Sequence, residues 1–211
     1  MRVYHLCGTQ FAVSNIALRR LKISRFMDMN DPFEMWVNTK NANRRQAFLR
    51  SKAVMNEKKG CLCFSKSWRD PVYWAHYAEK HFGMALGFDI ADEWLTDISY
   101  VDEPPDGDKE PDINLMRQWL LSKFTGWQYE EEVRAMVDLD PSVRQGGLYF
   151  LEFSDKLVFR EIILGVRCQL PLNEVSQLAS TYGHPISVIK ARLAHDSYSI
   201  VEDDQDKASP A

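Results

Sequence analysis

The stretch WQYEEEVRAMVDLD, residues 127–140, sets three glutamates in a row ahead of an apolar, β-branched tail. The tail predicts a strand, in which side chains alternate between two faces. Val133, Ala135 and Val137 then share one face. Glu130, Glu132, Arg134 and Asp138 share the other, with Met136 among them. The run therefore holds a carboxylate pair two residues apart beside an arginine. Glu131 points the opposite way, toward solvent or a surface partner.

Outward from this strand, short strands and helices follow one another. RVYHL (2–6), GCLCFS (60–65), GMALGFDI (83–90), ISYV (98–101), GGLYFLEF (146–153), REIILGV (160–166), ISVIKARL (186–193) and YSIVE (198–202) read as strands. FAVSNIALRRL (11–21) has helical spacing at Phe11, Ile16 and Leu18, and residues 38–58 read as a polar helix. DPVYWAHYAEKH (70–81) has Asp70 as N-cap and Pro71 in its first turn. INLMRQWLLSKF (113–124) carries an apolar stripe of Ile113, Met116, Leu120 and Phe124. PLNEVSQLASTYG (171–183) is a helix stopped by Gly183. EPPDGDKEPD (103–112) is the clearest loop, and residues 202–211 read as a disordered tail.

There is no internal repeat and no linker. The expectation is one α+β domain over residues 1–201, with a mixed sheet or two small packed sheets and flanking helices. The 211 residues suffice for a sizeable core. A net charge of −4 supplies no global field for nucleic acid. Arg44, Arg45, Arg50, Lys52, Lys58 and Lys59 cluster on the polar helix and read as a solvated face. No apolar run approaches the ~18 residues of a membrane span, so a cytoplasmic, reducing location is the default. The cysteines are Cys7, Cys61, Cys63 and Cys168, and the spacing of CLC is not that of a zinc site. No metal is expected.

No nucleophile elbow, P-loop or dinucleotide fingerprint is present. His5 lies mid-strand, where a lone histidine is commonly a hydrogen-bonded core residue. Ser65 and Ser67 share a face at a strand end, as turn hydroxyls do. Tyr73, Trp74, His76, Tyr77 and His81 fall on one helical segment, with Tyr73 and Tyr77 at i, i+4. In NDPFE, Asp31 caps a turn, Pro32 stiffens it, Phe33 anchors it in the core, and Asn30 or Glu34 reaches a pocket rim. The set suits binding a planar ring and stabilising a cation better than attacking a carbonyl.

NDPFE (30–34), CFS (63–65), YWAHYAEKHFGMALGFD (73–89), K-x-x-x-W-x-Y-E-x-E-x-R (123–134) and EIILG (161–165) occur in order. Together they resemble the bacterial and phage domain-of-unknown-function 2971 family, some of whose relatives resemble abortive-infection proteins. That resemblance brings no activity with it. The order of a first-strand His, a strand-end Ser and a later Glu-x-Glu is also similar to ADP-ribosyltransferases, with SKS at 65–67 where those carry Ser-Thr-Ser.

The second resemblance implies an ADP-ribosyltransferase-like fold that clamps NAD, as substrate, between two small sheets. It implies catalytic Glu132, Glu130 and His5, and NAD-binding Ser65, Trp74, His76, Tyr77 and Arg134. Glu132 would be the main stabiliser of the developing ribosyl cation, with Glu130 as helper. Their Cα atoms would lie ~7 Å apart along a strand. Arg134 would neutralise one carboxylate or meet a pyrophosphate. The expected function is an NAD-dependent ADP-ribosyltransferase or NAD glycohydrolase, a toxin or antiphage effector acting on a protein or nucleic-acid acceptor. An antitoxin or phage protein is the further partner. The alternative is a non-enzymatic nucleotide- or protein-binding sensor domain in phage defence.

Overall fold

Residues 1–110 and 112–204 are described in the computed structural model of the chain. Strand β1 (Arg2–Cys7) leads into helix α1 (Thr9–Leu18) and β2 (Arg20–Lys22). After the NDPFE loop come α2 (Ala42–Lys58), β3 (Lys59–Ser65), α3 (Pro71–Tyr77) and β4 (Met84–Ile90). Short strands β5 (Thr96–Asp97) and β6 (Ser99–Val101) precede α4 (Ile113–Leu121), β7 (Ser122–Phe124) and β8 (Glu132–Asp138). The remainder is β9 (Phe150–Glu152), β10 (Leu157–Leu164), α5 (Leu172–Ala179), β11 (Ser187–Leu193) and β12 (Ile200–Glu202). This is an α+β chain. None of its described helices is long and apolar enough to cross a membrane.

Side-chain caps set where three helices start. Asn41 accepts from the Asn43 and Arg44 amides, Asp70 from Val72 and Tyr73, and Asp112 from Leu115. Each satisfies amides that the first helical turn leaves without partners. The polar helix therefore begins at Ala42, four residues after the expected start. The α4 stripe differs from its expected phase. Leu115 and Trp119 are its buried residues, while Ile113 is 80% exposed. The helix ends at Leu121, so Phe124 belongs to β7 instead of the stripe. On α1, Ile16 is buried but Phe11 and Leu18 are exposed.

Contacts divide the chain into two compact units. The first comprises Met1–Leu21, Phe64–Asp92 and the chain from Leu151; the second comprises Lys22–Cys63 and Glu93–Phe150. In the first unit the strands run β12-β11-β10-β4-β1 in a mixed sheet. The β10–β11 pair is parallel, and the β1–β4, β4–β10 and β11–β12 pairs are antiparallel. Phe88, Phe153, Phe159 and Tyr182 form its aromatic core, with neighbouring ring centroids 5.1–6.4 Å apart. Two glycines permit backbones to cross: a Cβ on Gly83 would lie 2.2 Å from the Cys7 carbonyl, and one on Gly165 2.3 Å from that of His81. Glu202 closes β12, and the Asp203 amide bonds the Lys190 carbonyl, so order extends past the expected start of the tail. Residues 205–211 lie outside the described residues.

In the second unit β5 pairs antiparallel with β8, and β6 pairs parallel with β7. The latter register sets Tyr100 opposite Lys123. Phe26, Met35, Val37, Cys61 and Trp119 form the core cluster. The Trp119 indole donates to the Met35 carbonyl at 2.6 Å, which satisfies its one polar atom. The basic residues of α2 are used internally as well as solvated: Arg44 bonds the Lys109 carbonyl and Glu110, and Lys52 bonds the Glu34 carbonyl.

Candidate functional site

The triple glutamate does not lie on one strand. Thr125–Glu130 forms a 3-10 turn, and Glu131 takes a left-handed conformation with φ 44° before β8 begins at Glu132. Strand parity therefore applies from Glu132 onward and not to Glu130. The left-handed residue nevertheless turns the chain so that Glu130 and Glu132 converge. Glu131 is exposed, as expected.

What holds the two like charges together is Lys123 of β7. Its ammonium donates to Glu130 through a short bond and to Glu132 at 3.1 Å. Arg134 completes the cluster. It donates from Nε to Glu132 at 2.7 Å, and from both Nη atoms to Glu34 at 2.6 and 2.8 Å. All five side chains are buried; Arg134 is 1% exposed and Glu132 5%. Glu34 thus lies inside the cluster and not at a pocket rim.

Burial pushes the Glu132 carboxyl up, but Arg134, Lys123 and a hydrogen bond from Cys63 outweigh it and hold the group at about 2. Burial pulls the Lys123 and Arg134 cations down, and their carboxylate partners raise both above their ordinary values. The Tyr100 hydroxyl accepts from the Glu132 amide at 2.8 Å, and burial raises its phenol to about 12. Cys63 is raised by its contact with Cys61, 3.6 Å away between sulfurs, and by burial. None of the cysteines is in a disulfide.

Beside Lys123 lies a cavity of about 260 Å³. Phe33, Trp36, Val101, Pro104, Pro105 and Phe124 give it apolar walls; Asp102, Ser122 and Lys123 are its polar residues. Phe33 and Trp36 meet edge to face, with centroids 5.8 Å apart and planes at 89°. Phe33 is 58% exposed, which corrects its expected role as a core anchor. Asp31 does cap the loop, accepting from the Phe33 amide at 2.8 Å. That bond turns the chain so that Phe33 faces outward and Glu34 inward. Asp102 accepts from the Thr125 hydroxyl at 2.7 Å.

The remaining expected site residues belong to the first unit. His5 is half-buried and packs edge-on against Phe64 at 6.1 Å. Ser65 is buried and closes a local turn: its hydroxyl donates to the Ser67 carbonyl and accepts from the Ser67 amide. Trp74 is fully buried, donates to the Trp68 carbonyl at 2.5 Å and stacks on His81. His76 is exposed, and Tyr77 packs against Tyr73 with centroids 5.0 Å apart. The linings of the cavity beside Lys123 and of an open cavity of about 460 Å³ between Arg69, Arg192 and Glu202 include none of the expected site residues.

Glu130, Glu132 and Arg134 are brought together in the second unit, joined by Glu34 and Lys123. Glu34 and Lys123 stand inside two quoted motifs, NDPFE and K-x-x-x-W-x-Y-E-x-E-x-R; Glu34 is expected at a pocket rim instead of in the cluster, and Lys123 has no expected role. Three buried glutamates need buried cations, and that stoichiometry was the available signal. No family model, curated protein or solved structure matches the chain.

Proposed function

We propose that the second unit is a ligand-binding module whose cavity takes the planar ring of a nucleotide-type ligand. The observation that carries this reading is the cavity itself, lined by Phe33, Trp36 and Phe124 and by Lys123, whose ammonium is held by Glu130 and Glu132. Aromatic walls bury a flat ring well, and a few fixed polar groups orient it. At about 260 Å³ the space holds one ring system. It falls below the ~300–1,000 Å³ that encloses a drug-sized ligand. The sugar and phosphates of a nucleotide would therefore lie outside it, along the surface.

In this reading the buried carboxylates are scaffold. They hold Lys123, and through it the cavity wall. Glycosyl transfer from NAD at an ADP-ribosyltransferase-like centre would need a carboxylate turned toward the developing ribosyl cation. Glu132 instead gives both oxygens to Arg134 and Lys123. The chain then acts as a nucleotide sensor, the non-enzymatic alternative among the functions expected from the sequence. Calorimetric titration of the full chain with NAD, adenosine and nicotinamide tests the reading. At least one is expected to bind saturably, with affinity lost in Trp36→Ala and kept in His76→Ala. No binding of any of the three would refute it.

A further inference from the structure

The charge around the cavity narrows the ligand class, and this inference rests on the binding-module reading above. Among the described residues Lys123 is the only cationic side chain in the lining, and its charge is already committed to Glu130 and Glu132 and to the face of Trp127, 5.1 Å away. Behind it, three buried carboxylates (Glu34, Glu130, Glu132) face two buried cations (Arg134, Lys123). Lys52 faces Glu34 and, less strongly, Asp31, so the wider set holds four carboxylates against three cations. One negative charge is left over, in a region where solvent screens it weakly. Asp102 adds a carboxylate to the lining.

The walls carry the same sign of field. Phe33, Trp36 and Phe124 present aromatic rings, whose faces are electron-rich and attract cations. Phe33 and Trp36 stand perpendicular to each other, as two sides of a cage do. Phe124 and Phe33 are both more than half exposed, so the cavity opens between rings and not between hydrogen-bonding groups. A strongly hydrated ammonium such as that of lysine would find only Asp102 and Ser122 as side-chain acceptors in the lining, too few to replace its water. An organic cation that carries its charge on a methylated or ring nitrogen is weakly hydrated and loses little.

The geometry points to a cavity selective for such a cation: the pyridinium of an oxidised nicotinamide nucleotide, or a methylated alkylammonium group. Matched pairs of probes test this on the full chain by calorimetry. The 1-methylnicotinamide cation, methylated on its ring nitrogen, is compared with neutral nicotinamide, and choline with 3,3-dimethylbutanol, its neutral isostere. At least one cation is expected to bind tenfold or more tightly than its neutral partner, and Phe124→Ala, at an exposed wall, should erase that preference while the fold is kept. Preference in the nicotinamide pair alone identifies the pyridinium as the ligand group; preference in the choline pair alone identifies the alkylammonium. Equal affinity within both pairs overturns cation selection but leaves the ring-binding reading standing. Absence of binding by all four probes overturns cation selection, and the ring-binding reading falls with it only where NAD and adenosine also fail to bind.

Discussion

Arg134 and Glu34 stand a hundred residues apart in sequence and meet through two parallel hydrogen bonds of 2.6 and 2.8 Å, both side chains 1% exposed. This bidentate pair ties the NDPFE loop to strand β8. It also brings Phe33 and Trp36, on either side of Glu34 in the chain, to the cavity that Lys123 helps line.

Breaking that pair leaves a buried guanidinium only half satisfied. Glu34→Gln is expected to lower unfolding free energy by about 3–5 kcal/mol, the scale for removing one partner of a buried ion pair. Glu131→Gln, at an exposed side chain next to the cluster, should stay within about 0.5 kcal/mol of the parent. Urea denaturation of the two variants compares them directly.

The cluster also fixes an acid limb. The Glu132 carboxyl lies at about 2 against an ordinary 4.5, so its charged form is favoured in the folded chain. Its contribution is complete above pH 4.5 and is lost as pH falls toward 2. The shift corresponds to on the order of 3 kcal/mol. Stability measured between pH 5 and pH 2 should fall less steeply in Glu132→Gln than in the parent. Parallel curves would show that Glu132 titrates normally.

Much of this architecture is legible in sequence, and the limits have physical causes. Asp70 followed by Pro71 gives the start of α3, because cap and first turn are local chemistry. The strand after the glutamates is legible from Val133 onward for the same reason. Glu131 is not: its left-handed backbone is rare for a residue other than glycine, so a parity argument runs through it undetected. The phase of α4 depends on where the helix ends, and Ser122 carries no stop signal. The partnership of Arg134 with Glu34 is a tertiary fact with no local signature. Ser65 and Trp74 show the reverse case, in which motif order points to a site while their described hydrogen bonds are local, to Ser67 and to the Trp68 carbonyl.

Burial and neighbours govern the thiols. Cys7 is raised to about 12 by burial, and Cys63 by its neighbouring thiol and burial. Since the thiolate is the reactive form, a chromogenic disulfide reagent at pH 8 should modify Cys7 and Cys63 only slowly. Both should react at once when the chain is denatured. Rapid labelling of Cys63 in the folded chain would show that the cluster opens in solution.

Backbone crossing at Gly83 gives a sharper test of the first unit. A Cβ there would sit 2.2 Å from the Cys7 carbonyl, whereas one at Gly183 would meet nothing within 4 Å. Gly83→Ala should cost more than about 3 kcal/mol, since neither backbone can yield cheaply. Gly183→Ala should be within about 0.5 kcal/mol of neutral. Thermal unfolding of the two variants reports the contrast.

The central claim is that Glu132 is scaffold and that the cavity beside Lys123 binds without cleaving. Purified full chain incubated with NAD, with bound NAD and released nicotinamide both quantified, tests it most directly. The account expects saturable binding that Trp36→Ala removes, and no nicotinamide above the buffer control. Nicotinamide release by the parent that disappears in a folded Glu132→Gln protein would contradict it, because Glu132 would then be a reacting group.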